Sequence, residues 1–133
     1  VPDFSQLPYL HFLSVRNNNF QGVAKLPDKL HAARFHGNAV TVIDLPKDLE
    51  QLKHITYLEF SHNQLTGNVP EIIARLPTLA VLQLNNNHLT SLPQSWVGMQ
   101  DGQGTIARLH HLDVSHNKLA VRSTGQGRVI GFR

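Results

Sequence analysis

The side chains best suited to chemistry fall in one short run, His110, His111, Asp113 and His116, and His62 sits at the same point of an earlier segment as His116. Imidazoles and a carboxylate this close in sequence are the raw material of a metal centre, which needs three or four ligands converging on one point. The local pattern works against convergence. His110 and His111 are consecutive residues of an extended segment, and consecutive side chains of a strand point to opposite faces. Glu59 and Asp113 form the other reactive pair. They share one phase of two segments lying two strands apart, roughly 9–10 Å on ordinary strand spacing. That separation overlaps the carboxylate spacing of an inverting glycosidase. No Ser-His-Asp set and no phosphate-cradling glycine loop can be placed. The expectation is a protein with no catalytic residues, no metal site and no cofactor.

The elements that would carry these residues are repeated. Ile55 to Leu65, ITYLEFSHNQL, reads L-x-x-L-x-L-x-x-N-x-L through Ile55, Leu58, Phe60, Asn63 and Leu65. The same frame recurs as Leu10, Leu13, Val15, Asn18 and Phe20; as Leu30, Ala33, Phe35, Asn38 and Val40; as Leu79, Leu82, Leu84, Asn87 and Leu89; and as Leu109, Leu112, Val114, Asn117 and Leu119. Recurrence at a fixed period is the mark of a stacked repeat architecture. Within each copy the L-x-L alternates apolar and polar residues, the signature of a half-buried strand. Leu58 and Phe60 are expected to point inward, and Tyr57, Glu59 and Ser61 outward.

The asparagine of each copy falls between apolar residues. A buried amide is tolerable only when hydrogen-bonded, and Asn offers both donors and an acceptor to backbone groups of its own coil and the next. Asn18, Asn38, Asn63, Asn87 and Asn117 are therefore expected to form a structural ladder of buried amides.

These residues resemble leucine-rich repeats over about Val1 to Leu119. Leu65-Thr66-Gly67-Asn68-Val69-Pro70, followed by Ile73, Leu76 and Leu79, is similar to the L-x-G-x-I-P continuation of plant-type repeats. The first and fourth copies keep parts of it (Phe20 and Gly22; Leu92 and Pro93), and the second has Leu45-Pro46 without the Gly. The resemblance implies an α/β fold: a right-handed solenoid with a curved parallel β-sheet and short 3₁₀, helical or irregular convex returns. It also implies an open concave surface with no water-excluding pocket, which leaves the Glu59 and Asp113 pair as part of an exposed, charged face.

Repeat starts at Leu10, Leu30, Ile55, Leu79 and Leu109 give steps of 20, 25, 24 and 30 residues. Leu26-Pro27, Leu45-Pro46, Val69-Pro70 and Leu92-Pro93 mark the returns, since Pro fixes φ and lacks the donor a sheet needs. Pro70 to Arg75 has the only plausible helix start, with Pro at the first helical position. The long fourth step places its excess at Val97 to Thr105, read as a glycine-rich loop, with Trp96 filling the Leu position of the return or anchoring that loop. After Leu119 the frame stops, and Val129 to Phe132 reads as a candidate strand closing the stack. The basic residues Arg122, Arg128 and Arg133 in that tail could meet an acidic partner.

At 133 residues, the chain reads as one domain, 1–133, of about five repeats. Hydrophobic residues make up 41% and charged residues 16%, the balance of a folded rather than a disordered chain. A formal charge of +3 with nine His is too mild and scattered to argue for nucleic acid. No apolar run approaches the roughly 18 residues of a membrane helix. Zero Cys removes disulfides and thiolate sites. The opening Val1-Pro2 and Phe4-to-Leu7 read as the back half of an earlier repeat. The expectation is an internal piece of a longer chain, or an end covered by further repeats or a neighbouring subunit. The compartment stays open: the plant-type resemblance favours a secreted or cell-surface setting over the cytoplasm, whereas the lack of Cys and of any N-x-S/T sequon points the other way.

What remains is a surface. The outward strand positions Phe12, Ser14, Arg16, Arg34, His36, Tyr57, Glu59, Val81, Gln83, Asn85, His111 and Asp113 mix aromatic, amide and charged groups, as binding surfaces do. Arg16 and Arg34 lie toward one end and Glu59 and Asp113 toward the other, a gradient that would orient a partner. The reading is a recognition scaffold that binds a protein or peptide on its concave face, within a larger receptor-like or secreted protein. A structural subunit with its ends buried against neighbours is the alternative. An ice- or carbohydrate-binding face would need a regular Thr or aromatic array, which these positions do not form.

Overall fold

The computed structural model describes residues 1–93, 96 and 109–119, together with the backbone of 122–123 and 129–130. Five strands, β1 (Phe12–Ser14), β3 (Ala32–Arg34), β5 (Tyr57–Glu59), β7 (Val81–Gln83) and β9 (His111–Asp113), form one parallel sheet in that spatial order. Each belongs to one repeat, and register is kept without a slip: Leu13, Ala33, Leu58, Leu82 and Leu112 are successive partners. Registration follows from the apolar frame, because a slip of one residue would turn every inward Leu to solvent. Ala33, Leu58 and Leu82 are fully buried, while Leu13 and Leu112 in the outer strands are only partly so. Behind the sheet, Phe35 and Phe60 stack face to face at 4.7 Å, and Phe4 closes on Phe35 edge-on.

The asparagine ladder is present, and its geometry has a direction. From the second copy on, each amide looks back to the preceding coil. Asn63 Nδ2 donates to Phe35 O at 2.9 Å and to Phe60 O at 3.1 Å, and its Oδ1 accepts from Val40 N at 2.9 Å. Asn38, Asn87 and Asn117 repeat the arrangement, accepting from Phe20, Leu65 and Leu89 N respectively. Asn63 and Asn87 are buried and Asn38 and Asn117 half-buried. Asn18 departs from the expectation. It is exposed and donates only to Val15 O and Arg16 O of its own coil. Among the described residues no earlier strand lies beside β1, so its amide has no coil to look back to.

A second regularity was not foreseen. The residue before each ladder asparagine is left-handed: Asn17 (φ 57°), Gly37 (76°), His62 (53°), Asn86 (58°) and His116 (54°). This turn swings the chain out of the sheet, and residues with short polar or no side chains tolerate it most readily.

The returns hold more strand than expected. Beyond the asparagine turn, β2 (Gln21–Lys25) pairs in parallel with β4 (Ala39–Asp44), and β6 (Thr66–Asn68) with β8 (His88–Ser91). Both pairings shift register beside a positive-φ glycine, Gly22 in one and Gly67 in the other. The predicted helix is one turn, α1 (Glu71–Ala74), and Pro70 caps it with extended φ/ψ rather than occupying its first position. The 3₁₀ turns Phe4–Gln6 and Leu49–Leu52 are each capped by an Asp carboxylate on a backbone amide. Trp96 lies in the core at 1% exposure, as a filler of the return position would; the Val97 to Thr105 loop lies outside the described residues. Strand β11 (Val129–Ile130) does not close the stack. It pairs antiparallel with β10 (Arg122–Ser123) instead, and the side chains of that tail lie outside the description. No described helix is long and apolar enough to cross a membrane.

Candidate functional site

The open face of the five-stranded sheet carries its side chains in two columns, because alternate residues of paired strands stay in register. Phe12, Ala32, Tyr57, Val81 and His111 form the first, and Ser14, Arg34, Glu59, Gln83 and Asp113 the second. Arg16, His36 and Asn85 extend the face just past the strand ends. The nine strand residues among the twelve named from the sequence occupy these two columns by register.

Their environments differ from the expected exposed, charged face. Glu59 is 4% exposed and Ser61 also 4%, so neither is a free outward group. Glu59 points to the open side but is roofed over by its neighbours. Arg16, two coils away, reaches its carboxylate at 3.3 Å, His36 Nδ1 lies at 3.9 Å and the Tyr57 hydroxyl within 3.5 Å. Ser61 is held by His36 Nδ1 at 2.8 Å. The charge gradient is therefore weaker than its residues imply, because Arg16 and Glu59 satisfy each other across the middle coil.

Arg34 behaves differently. Its guanidinium lies 5.0 Å from the centre of the Tyr57 ring, a cation–π contact, and no carboxylate pairs with it among the described residues. Phe12 is 70% exposed. Toward the other end, Gln83 Nε2 meets His111 Nε2 at 3.3 Å. Burial tends to raise the Asp113 carboxyl, but the Ser115 hydroxyl and amide, with His111 and His116 nearby, outweigh it and hold it below its ordinary value.

The structure separates the histidines that the sequence singled out. No set of three or more metal-ligating side chains converges among the described residues. His62 and His116 occupy the left-handed turn, and His62 packs edge-on against His36 at 4.9 Å. A different histidine set was missed. His11 and His31 stack at 4.6 Å and His31 and His54 at 5.3 Å, along the rim where the chain enters β1, β3 and β5. His11 and His31 hold one frame position, just after the first anchor, but His54 comes just before it, so the repeat frame alone did not align the three. On the convex side, a cleft of ≈ 200 Å³ is lined by Thr41, Val42, Ile43, Leu65, Val69 and Ile73 among others, all of them non-ionisable.

Similarity to known proteins agrees with this architecture. The family model described as Leucine Rich Repeat matches residues 54–76. Receptor-like protein 53 of Arabidopsis thaliana is 30% identical over 126 residues, covering 90% of this chain and 12% of that protein. Receptor-like protein 18 of the same plant is 27% identical over 134 residues, 83% of this chain and 15% of its own length. A shorter match, 39% identical over 71 residues, is to the geranylgeranyl transferase type-2 subunit alpha of Sus scrofa, covering 53% of this chain and 11% of the subunit. The chain thus spans less than a sixth of each of these relatives. No solved structure matches.

Proposed function

This chain is a leucine-rich-repeat solenoid, and we propose that the concave face of its five-stranded sheet binds a protein or peptide partner, as one segment of a receptor-like protein working at the cell surface or secreted. The observation that carries the reading is the face itself. Five strands in unbroken register present Phe12, Arg34, Tyr57, Gln83 and His111 side by side, with an exposed aromatic and an Arg that no carboxylate pairs among the described residues, the kind of groups that dominate binding energetics. The similarity to receptor-like proteins supports the setting.

A peptide library selected against the chain tests it. Recovered peptides should lose affinity by about tenfold or more in Tyr57→Ala and Arg34→Glu, at unchanged melting temperature, as for a hot-spot residue. Val23→Glu, on the convex side and 42% exposed, should leave binding intact. Peptides indifferent to both concave variants would overturn the reading.

One observation favours a second reading. Leu7 is 47% and Tyr9 87% exposed on the first coil, a surface that further repeats or a neighbouring subunit would cover. Sedimentation of the isolated chain checks this, and a monomer at all concentrations would remove the subunit version.

A further inference from the structure

We propose that the rim of the concave face, where His11, His31 and His54 stack beside Phe12 and Arg34 lies uncovered on Tyr57, docks a carboxylate-rich segment of a protein partner and holds it more tightly as the pH falls. This deepens the concave-face reading and rests on it.

The three imidazoles come from three successive coils. The His11 and His31 rings lie 4.6 Å apart at 11°, those of His31 and His54 5.3 Å apart at 26°, and the edge of Phe12 meets His31 at 5.6 Å. Rings this close cannot all be protonated without mutual repulsion. Desolvation first, then His11 and His54, keep His31 below its ordinary 6.5. Those two are the charged or titratable neighbours that act on it, since Phe12 is apolar. The turn before His54 carries Lys53, which is already paired with Glu50 at 3.2 Å. Among the described residues no carboxylate relieves the stack.

An incoming carboxylate would relieve it. A ligand that prefers the protonated form takes up protons as it binds, so docking and acidification assist each other. Arg34, at the other end of strand β3 from His31, supplies permanent charge on the same sheet. The acid opposite it in register, Glu59, does not cancel that charge because Arg16 and His36 already engage it. The rim therefore has cationic capacity and an aromatic floor, and among the described residues no acid pairs with it, which complements an acidic peptide.

Binding of a fluorescent hexaglutamate peptide to the whole chain at low salt tests this. Affinity should rise by about tenfold between roughly pH 7.5 and roughly pH 5.5, since each linked proton can contribute up to a factor of ten per unit. In His31→Gln the gain should fall below about threefold, with the circular dichroism unchanged. The His31 ring proton resonance should titrate at higher pH with the peptide present than without it. Equal affinity at both pH values, no binding at either, or equal binding of a single-stranded oligonucleotide of matched charge would each overturn the proposal. Binding lost in Arg34→Glu but still pH-dependent in His31→Gln removes the histidine strip and leaves the concave face standing. Binding lost in His31→Gln but untouched by both Arg34→Glu and Tyr57→Ala would overturn the proposal, because the peptide would then sit off the concave face.

Discussion

Arg16 reaches past the second coil to place its guanidinium 3.3 Å from the Glu59 carboxylate, pairing a half-exposed cation with a buried acid. The two partners are therefore unequal. Removing Arg16 leaves a charge roofed from water, whereas neutralising Glu59 leaves a cation that solvent can reach. Arg16→Ala should cost about 1–3 kcal/mol, and Glu59→Gln, which still accepts from the Tyr57 hydroxyl, should cost less. Urea unfolding of both variants checks the order, and a larger loss in Glu59→Gln would show that the carboxylate is not the buried member that matters.

The ladder offers a comparison between one residue type in two positions. Asn63 serves Val40 N, Phe35 O and Phe60 O in a buried setting, and Asn18 serves only carbonyls of its own exposed coil. Asn63→Ala should lose at least about 2 kcal/mol, since each stranded buried group costs about 1–3. Asn18→Ala should stay within about 0.5 kcal/mol, as surface changes do. Similar midpoints in denaturant for both would mean that the inter-coil bonds contribute little.

At Gly37 the chain takes φ +76°, and an added Cβ would meet the Asn17 side-chain oxygen. The Asn17 amide is exposed and can swing aside, so backbone strain decides the outcome. Gly37→Ala should lower stability by about 1–2 kcal/mol, the cost of a left-handed L-residue. Thermal melts of Gly37→Ala and Gly37→Asn should rank Asn as the milder change, because Asn tolerates this conformation best after Gly.

Two titrations act on stability with opposite starting points. His31 is depressed below 6.5 when folded, so the unfolded chain binds its proton more readily and stability falls as the pH drops through that window. His31→Gln should flatten this loss between roughly pH 7 and roughly pH 5. Asp113 is held below 3.8, so it contributes stability above that value and loses it as the pH falls through its folded pKa. Ser115→Ala, which removes the strongest hydrogen bond on that carboxylate, should shrink the acid-limb loss. Stability curves against pH, superimposable on the parent, would contradict both.

The repeat frame carried the main sheet. Leu13, Ala33, Leu58, Leu82 and Leu112 were legible as one inward column because burial on one face forces period-two patterning. The return strands were less legible. Gln21 to Lys25 and Thr66 to Asn68 hold polar and glycine residues that also suit turns, and only pairing with β4 and β8 makes them strands. Polar residues in the face were misjudged for a related reason. Facing direction follows from alternation, but Glu59 and Ser61 are covered by side chains two and one coils away, and no local pattern encodes that reach.

The amino-acid sequence by itself determined the stack: anchors at a fixed phase and an amide at each rung leave one arrangement that buries the Leu side chains and satisfies the amides together. Only the tertiary structure decided which polar groups remain available. Arg16 finds Glu59, His31 finds His11 and His54, and Arg34 finds Tyr57, because these meetings depend on coil spacing and side-chain length, not on position within a repeat.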